Sequence, residues 1–118
     1  MGGSEMEQRF EDLVAEAIDG LPDWVHERLE NVQIIVEAHP PRDEPNLLGL
    51  YEGIPLTERG NEYTWALPDR ITLYRKTIER EAGGDAAAIR QVVADTVVHE
   101  IAHFFGISDE RLHELGRD

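Results

Sequence analysis

Two histidines and a glutamate near the C-terminal end of the chain have the spacing of a metal-binding motif. The segment reads His99-Glu100-Ile101-Ala102-His103. Because an α-helix has about 3.6 residues per turn, positions four apart differ by about 40° in azimuth, and two imidazoles can bind one zinc ion from the same helix face. Glu100 lies beside them but is too displaced around the helix to be the easy third ligand. These residue types at this spacing predict a zinc site with an adjacent carboxylate as general base.

The residues after this motif provide a candidate third ligand. Gly106 can adopt a left-handed conformation and end the helix, and Asp109 could then return a carboxylate to the metal. Three protein ligands (His99, His103 and Asp109) with one open position are typical of catalytic zinc, which lowers the pKa of a bound water to about 7. Glu100 would take the proton from that water and pass it to a leaving amine.

Other residues near the motif have alternative roles. Asp109 also stands where an Asp commonly caps a following helix without any metal. His113 could compete as third ligand or donate to the transition state, and it is equally well explained as an exposed helix histidine. Asp95, one turn before His99, could orient the imidazole as a hydrogen-bond acceptor or could be a solvated helix charge. The other carboxylates that could compete for the metal are Glu110 and Glu114.

Residues 48–54 form a candidate strand for holding a substrate. Peptides bind to zinc peptidases in an extended form, and pairing with an exposed strand edge provides that through main-chain hydrogen bonds. Gly49 and Gly53 would allow a ligand backbone to come close, and Tyr51 could offer its hydroxyl. An ordinary core strand with a bulge is an equally good interpretation.

The composition excludes several classes of function. The chain has 118 residues and no cysteine, which excludes a disulfide framework, thiol catalysis and thiolate-bound zinc. With 11 Lys and Arg against 25 Asp and Glu, its formal net charge is −14, which argues against nucleic acids and anionic membranes as partners. The N-terminal residues are polar and acidic and lack the apolar region of a secretory signal, so we expect a cytoplasmic protein.

The elements that must position the motif follow from hydrophobic spacing. The pattern predicts an α+β fold, in which N-terminal helices and a long active-site helix pack on a small mixed sheet. Residues 1–6 are expected to be a disordered tail or a cloning remnant, and residues 7–118 a single domain. The long helix would span about 30 Å, start after an Asp85 cap and end at Gly106. The predicted helices are residues 7–20, 24–29 (capped by Asp23), 86–105 and a short one after Ser108 or Asp109; the predicted strands are residues 32–36, 48–54 and 71–74.

These segments resemble the very small bacterial zincin-like metallopeptidases. The resemblance covers most of the chain and is carried by residues 49–60, 96–109 and 112–116. It implies a minimal zincin core, with a long active-site helix under a small sheet and no C-terminal subdomain. The family's HExxHxxGxxD motif falls on His99, Glu100, His103, Gly106 and Asp109. Compared with the metzincin consensus, the third ligand is Asp instead of His, and a Met-turn is absent because the only methionines are Met1 and Met6.

The sequence therefore predicts a zinc-dependent peptidase with Zn²⁺ as cofactor. Few residues follow His103 to wall a cleft, so short or unfolded peptides are the expected substrates, and a partner protein could complete the cleft. One alternative is a non-catalytic, metal-binding pseudo-peptidase module that recognises a partner through the Tyr51 strand. A second is a metal-dependent endoribonuclease with a similar histidine spacing, against which Glu100 and the negative charge both count. The residue that would stabilise the oxyanion is not identified by the sequence.

Overall fold

A three-stranded mixed sheet forms the centre of the fold. The computed structural model describes residues 2–29, 31–53, 69–108 and 110. The strands are β1 (Val32–Glu37), β2 (Gly49–Glu52) and β3 (Asp69–Tyr74), in the order β1-β3-β2. β3 pairs in parallel with β1 and antiparallel with β2. Within the described residues, β2 therefore has a strand neighbour on one side only.

Among the described residues, four helices of more than one turn accompany the sheet. They are α1 (Gly2–Asp19), α2 (Asp23–Arg28), α3 (Arg75–Glu81) and α4 (Ala86–Phe104). α4 lies between α1 and the sheet and also contacts α3. Because it is covered on several sides, α4 carries apolar residues around much of its circumference instead of a single stripe. None of the described helices is long and apolar enough to cross a membrane.

Both ends of α4 have defined caps. At the start, the Asp85 carboxylate accepts a hydrogen bond from the Ala88 amide at 2.9 Å, the expected N-cap interaction. At the end, Gly106 has φ 88°, and its amide donates to the His103 carbonyl at 2.9 Å. The Ile107 amide donates to the Ala102 carbonyl, also at 2.9 Å, which completes a Schellman motif. The predictions of an Asp85 cap and a helix end at Gly106 are confirmed.

One hydrophobic core joins the sheet to α1 and α4. Ile71 and Leu73 point from β3 into this core and are 1 % and 0 % exposed. The alternation along β3 explains their position, since residues two apart lie on the same face of a strand. The other buried members of the cluster are Phe10, Val14, Val25, Ile78, Val93, Val97 and Ile101.

The predicted α+β class with a small mixed sheet is confirmed, but several element bounds differ. α1 begins at Gly2 and not at residue 7; Glu5 to Gln8 are good helix formers that favour this earlier start. The division into a tail of residues 1–6 and a domain of residues 7–118 stays a prediction. Asp23 is the first residue of α2 and not its cap. The N-cap is Pro22, which forms no side-chain hydrogen bond because its ring has no polar atom to accept one.

One element of the structure, α3, is not among the predicted ones. Its residues follow β3 without a break, and the run from Arg75 to Glu81 contains good helix formers before the Gly83-Gly84 turn. The connection after residue 53 and the short helix predicted after Ser108 lie outside the described residues, apart from Glu110, which is helical.

Candidate metal centre

The two motif histidines lie side by side at the C-terminal end of α4. Their Nε2 atoms are 3.2 Å apart. The two rings are nearly perpendicular, with centroids 4.8 Å apart and an interplanar angle of 68°. Both residues are half-buried.

This spacing fits a metal with nitrogen ligands. In a tetrahedral zinc site with Zn–N distances of about 2.0–2.1 Å, two ligand nitrogens lie about 3.3–3.4 Å apart. The 3.2 Å between the Nε2 atoms of His99 and His103 is close to that value. The donor set is also suitable, because neutral imidazole nitrogens are common zinc ligands. The pair can therefore supply two ligands to one ion with little rearrangement.

Glu100 is buried next to this pair, where α4 contacts the sheet. The residue is only 7 % exposed. This is unusual for a glutamate, because burying a carboxylate is costly unless it is paired or binds a metal. It faces Gly49, the first residue of β2: a Cβ atom at Gly49 would lie 3.3 Å from the Glu100 Cγ atom. β2 and α4 thus meet at the side-chain methylene group of the motif glutamate.

The structure describes only one of the other predicted ligands. Asp109, His113 and Glu114 lie outside the described residues, and Glu110 is exposed. Across the described ranges, no three His, Asp or Glu side chains are grouped closely enough to hold a metal ion. The structure thus brings together two of the predicted ligands, while the Schellman motif at Gly106 ends the helix directly after them.

Comparison with known proteins identifies the family. A family model described as zincin-like metallopeptidase matches residues 29–117. The chain belongs to the zincin-like metallopeptidase family. No curated protein matches it. Among solved structures, a conserved hypothetical protein from T. thermophilus is similar to the chain, with a TM-score of 0.57 and 25 % sequence identity over 95 % of this chain and 99 % of that one.

In this zincin-like domain, the three residues predicted to bind substrate contact other residues of the same chain. Tyr51 donates a hydrogen bond from its hydroxyl to Asp69 Oδ2 at 2.6 Å. Gly53 has φ 154°, and a Cβ atom there would lie 2.6 Å from the Asp69 carboxyl group. Gly49 is packed against Thr96 and Glu100 of α4. Gly49 therefore permits close approach of α4 to β2, and Gly53 permits close approach of the chain after β2 to Asp69 of β3.

Asp69 is a residue that the sequence analysis did not single out. It begins β3 and is 2 % exposed. Its carboxyl group accepts a hydrogen bond from the Tyr51 hydroxyl and lies next to Gly53. The available signal is an acidic residue two positions before the apolar alternation of Ile71 and Leu73. Its partner could not be found from the sequence, because the two residues are joined only by the register of β2 on β3, which pairs Tyr51 with Ile71.

Asp95 and Tyr74 complete the surroundings of the site. Asp95 is exposed, and its Oδ1 atom accepts a hydrogen bond from Gln91 Nε2, one turn earlier in α4, at 2.9 Å. Tyr74, at the end of β3, is buried. This burial raises the pKa of its phenol above the usual 10.0, and the surrounding carboxylates, with Glu37 foremost, raise it further. Glu100 is one of these carboxylates.

Proposed function

We propose that the chain is a zinc-dependent peptidase. The observation that carries the proposal is the 3.2 Å separation of the His99 and His103 Nε2 atoms beside a buried glutamate. Membership of the zincin-like metallopeptidase family supports the same conclusion. In this proposal His99 and His103 provide two zinc ligands and Asp109 provides the third. When bound, zinc lowers the pKa of a water molecule and polarises a carbonyl oxygen.

Glu100 is the general base in this proposal. Its carboxylate takes a proton from the attacking water and delivers it to the nitrogen of the leaving amine, so that one group acts first as base and then as acid. Two features of the structure suit it to this role. Burial limits its exposure to bulk water, and the contact with Gly49 holds its side chain next to the edge strand.

The substrate in this proposal is a short or unfolded peptide that pairs with β2. Extended peptides bind exposed strand edges through main-chain hydrogen bonds. β2 begins at the residue that faces Glu100, so a peptide along this strand would pass the catalytic carboxylate. The net charge of −14 disfavours RNA, which would require a cationic surface.

The test compares peptide hydrolysis by wild-type protein and Glu100→Gln at matched zinc content. We expect the variant to lose activity by about 10²- to 10⁴-fold, the usual contribution of a general base. Glu11→Gln is the matched control, because it makes the same substitution at an exposed position of α1. Hydrolysis by Glu100→Gln at the wild-type rate would contradict the mechanism. A zinc-loaded wild type that cleaves no member of a peptide library would support the non-catalytic metal-binding module instead.

A further inference from the structure

A small cavity with cationic walls lies at the end of the sheet where β1 and β3 terminate. It is about 190 Å³ in volume and lies between residues 39–45, which follow β1, and residues 76–80, which follow β3. The carboxyl ends of neighbouring parallel strands are a common location for ligand sites in α/β sheets. The residues that line the cavity are His39, Pro40, Pro41, Arg42, Pro45, Lys76, Thr77 and Arg80.

The charge of this lining is opposite to that of the chain. Arg42, Lys76 and Arg80 are three of only 11 Lys and Arg residues, in a chain with 25 Asp and Glu. The ion pairs among the described residues join Arg75 to Glu79 and Arg90 to Glu16. In the part of the chain that the structure describes, no ion pair joins Arg42, Lys76 or Arg80 to a carboxylate, although Asp43 and Glu44 belong to the same segment as Arg42. The three cations are thus grouped in one concave site of an acidic protein, where they can attract an anion.

The two walls of the cavity are fixed to each other. The Lys76 amide donates to the Ala38 carbonyl at 3.0 Å. Arg80 Nη2 donates to the Pro45 carbonyl at 3.2 Å and to Asn46 Oδ1 at 3.1 Å. Three prolines restrict the backbone of the facing segment. The backbones of the two walls and the Arg80 side chain are consequently fixed before any ligand arrives, whereas the side chains of Arg42 and Lys76 are exposed and must be ordered on binding.

We propose that this cavity is a binding site for a small oxyanion, meaning a single phosphate or carboxylate group. The volume is below the range of about 300–1,000 Å³ typical of sites for larger small molecules, so a nucleotide would not be enclosed. Arg42 and Lys76 bind the oxygens of the anion, and Thr77, a buried residue of the lining, adds a hydroxyl-bearing side chain. The site is separate from the His99 and His103 pair and does not depend on peptidase activity.

The test is a titration of the isotope-labelled full chain with sodium phosphate, followed by NMR at constant ionic strength, with chloride as the comparison. Phosphate should shift the amide signals of residues 39–45 and 76–80 in a saturable manner. Lys76→Gln and Arg42→Gln should each weaken phosphate binding by about three- to fivefold, and the double variant by about tenfold or more. Arg28→Gln removes the same charge at an exposed position of α2 and should leave binding unchanged.

Three results would overturn the proposal: equal shifts with phosphate and chloride, shifts centred on α4, or equal weakening in Arg28→Gln and Lys76→Gln. The last result would indicate diffuse attraction by the whole surface. Sodium acetate forms the second arm of the titration. Matching shifts with acetate would support the site and identify a carboxylate-type ligand, and shifts with phosphate alone would support the site and identify a phosphate group.

Discussion

Gly49 of β2 lies directly against Glu100 of α4. A Cβ atom at residue 49 would be 3.3 Å from the Glu100 Cγ atom and 2.8 Å from the Thr96 Cγ2 atom. The position of the edge strand and the position of the motif carboxylate are therefore set by one contact. Glycine is needed here for space and not for its backbone conformation, because Gly49 is not among the glycines with positive φ.

Gly49→Ala should destabilise the protein by about 1–3 kcal/mol, the usual cost of overpacking. The added methyl group would meet Thr96 Cγ2 and also the Thr72 carbonyl oxygen at 3.1 Å, so β2 or α4 must move. Urea denaturation measures the free energy of unfolding, and peptide hydrolysis reports the displacement of Glu100.

Two further variants control this experiment. Gly20→Ala adds the same methyl group where the nearest atoms would be 3.6 and 3.7 Å away, and it should change the free energy of unfolding by about 0.5 kcal/mol or less. Thr96→Ser removes the Cγ2 atom but keeps the hydroxyl that donates to the Val92 carbonyl, so it should partly rescue Gly49→Ala. A Gly49→Ala variant as stable and active as wild type would contradict the proposed contact.

Tyr51→Phe should cost about 1.5–3 kcal/mol, because it removes a hydrogen bond to a carboxyl group that is almost fully buried. The phenyl ring keeps the edge-to-face packing on Phe104, whose centroid is 6.0 Å away. A double-mutant cycle with Asp69→Ala isolates the pair. A coupling energy near zero would show that the bond does not stabilise the fold. A raised KM with unchanged stability would restore Tyr51 as a substrate-binding residue.

Tyr74→Phe should alter stability only at alkaline pH. The pKa of Tyr74 is raised in the folded state, mainly by burial and then by nearby carboxylates. Above pH 10 the unfolded chain therefore loses the phenolic proton while the folded chain retains it, and the wild-type free energy of unfolding falls with rising pH. Urea denaturation at pH 8 to 11 should show this fall for wild type and a smaller one for Tyr74→Phe. Parallel curves would contradict the assigned shift.

Asp85→Ala should destabilise α4, and with it the metal site, by about 1 kcal/mol. The variant removes the acceptor of the 2.9 Å hydrogen bond from the Ala88 amide. Asp85→Asn retains an acceptor and should lose much less. Thermal unfolding distinguishes the two variants, and equal midpoints for both would show that the cap does not contribute.

The parts of the fold that the sequence could predict are those determined by local pattern. The long helix was visible because its apolar residues recur at helical spacing and both of its caps, Asp85 and Gly106, are local signals. The histidine pair could be predicted for the same reason, because two residues four positions apart on a helix lie on the same face. α3 was missed because its seven residues are too few to establish a periodicity.

The contacts between distant segments could not be predicted in this way. For Gly49 and Tyr51 the sequence leaves two interpretations open, contact with a substrate or packing in an ordinary core strand. The structure places Thr96 and Glu100 against Gly49, and Tyr51 donates a hydrogen bond to Asp69; their contact with a substrate stays a prediction. Both contacts depend on the register of β2 and on how α4 packs against the sheet, and residues far apart in sequence determine both.

The central claim is that His99 and His103 hold zinc, and metal content measured by elemental analysis tests it most directly. Protein purified without chelator should contain about one zinc per chain, and His103→Ala should lose it. His26→Ala, which removes a histidine from α2, should keep the wild-type content. Circular dichroism should confirm that all three proteins are folded. Wild-type protein that binds no zinc even after reconstitution, or equal zinc content in His103→Ala and His26→Ala, would contradict the account.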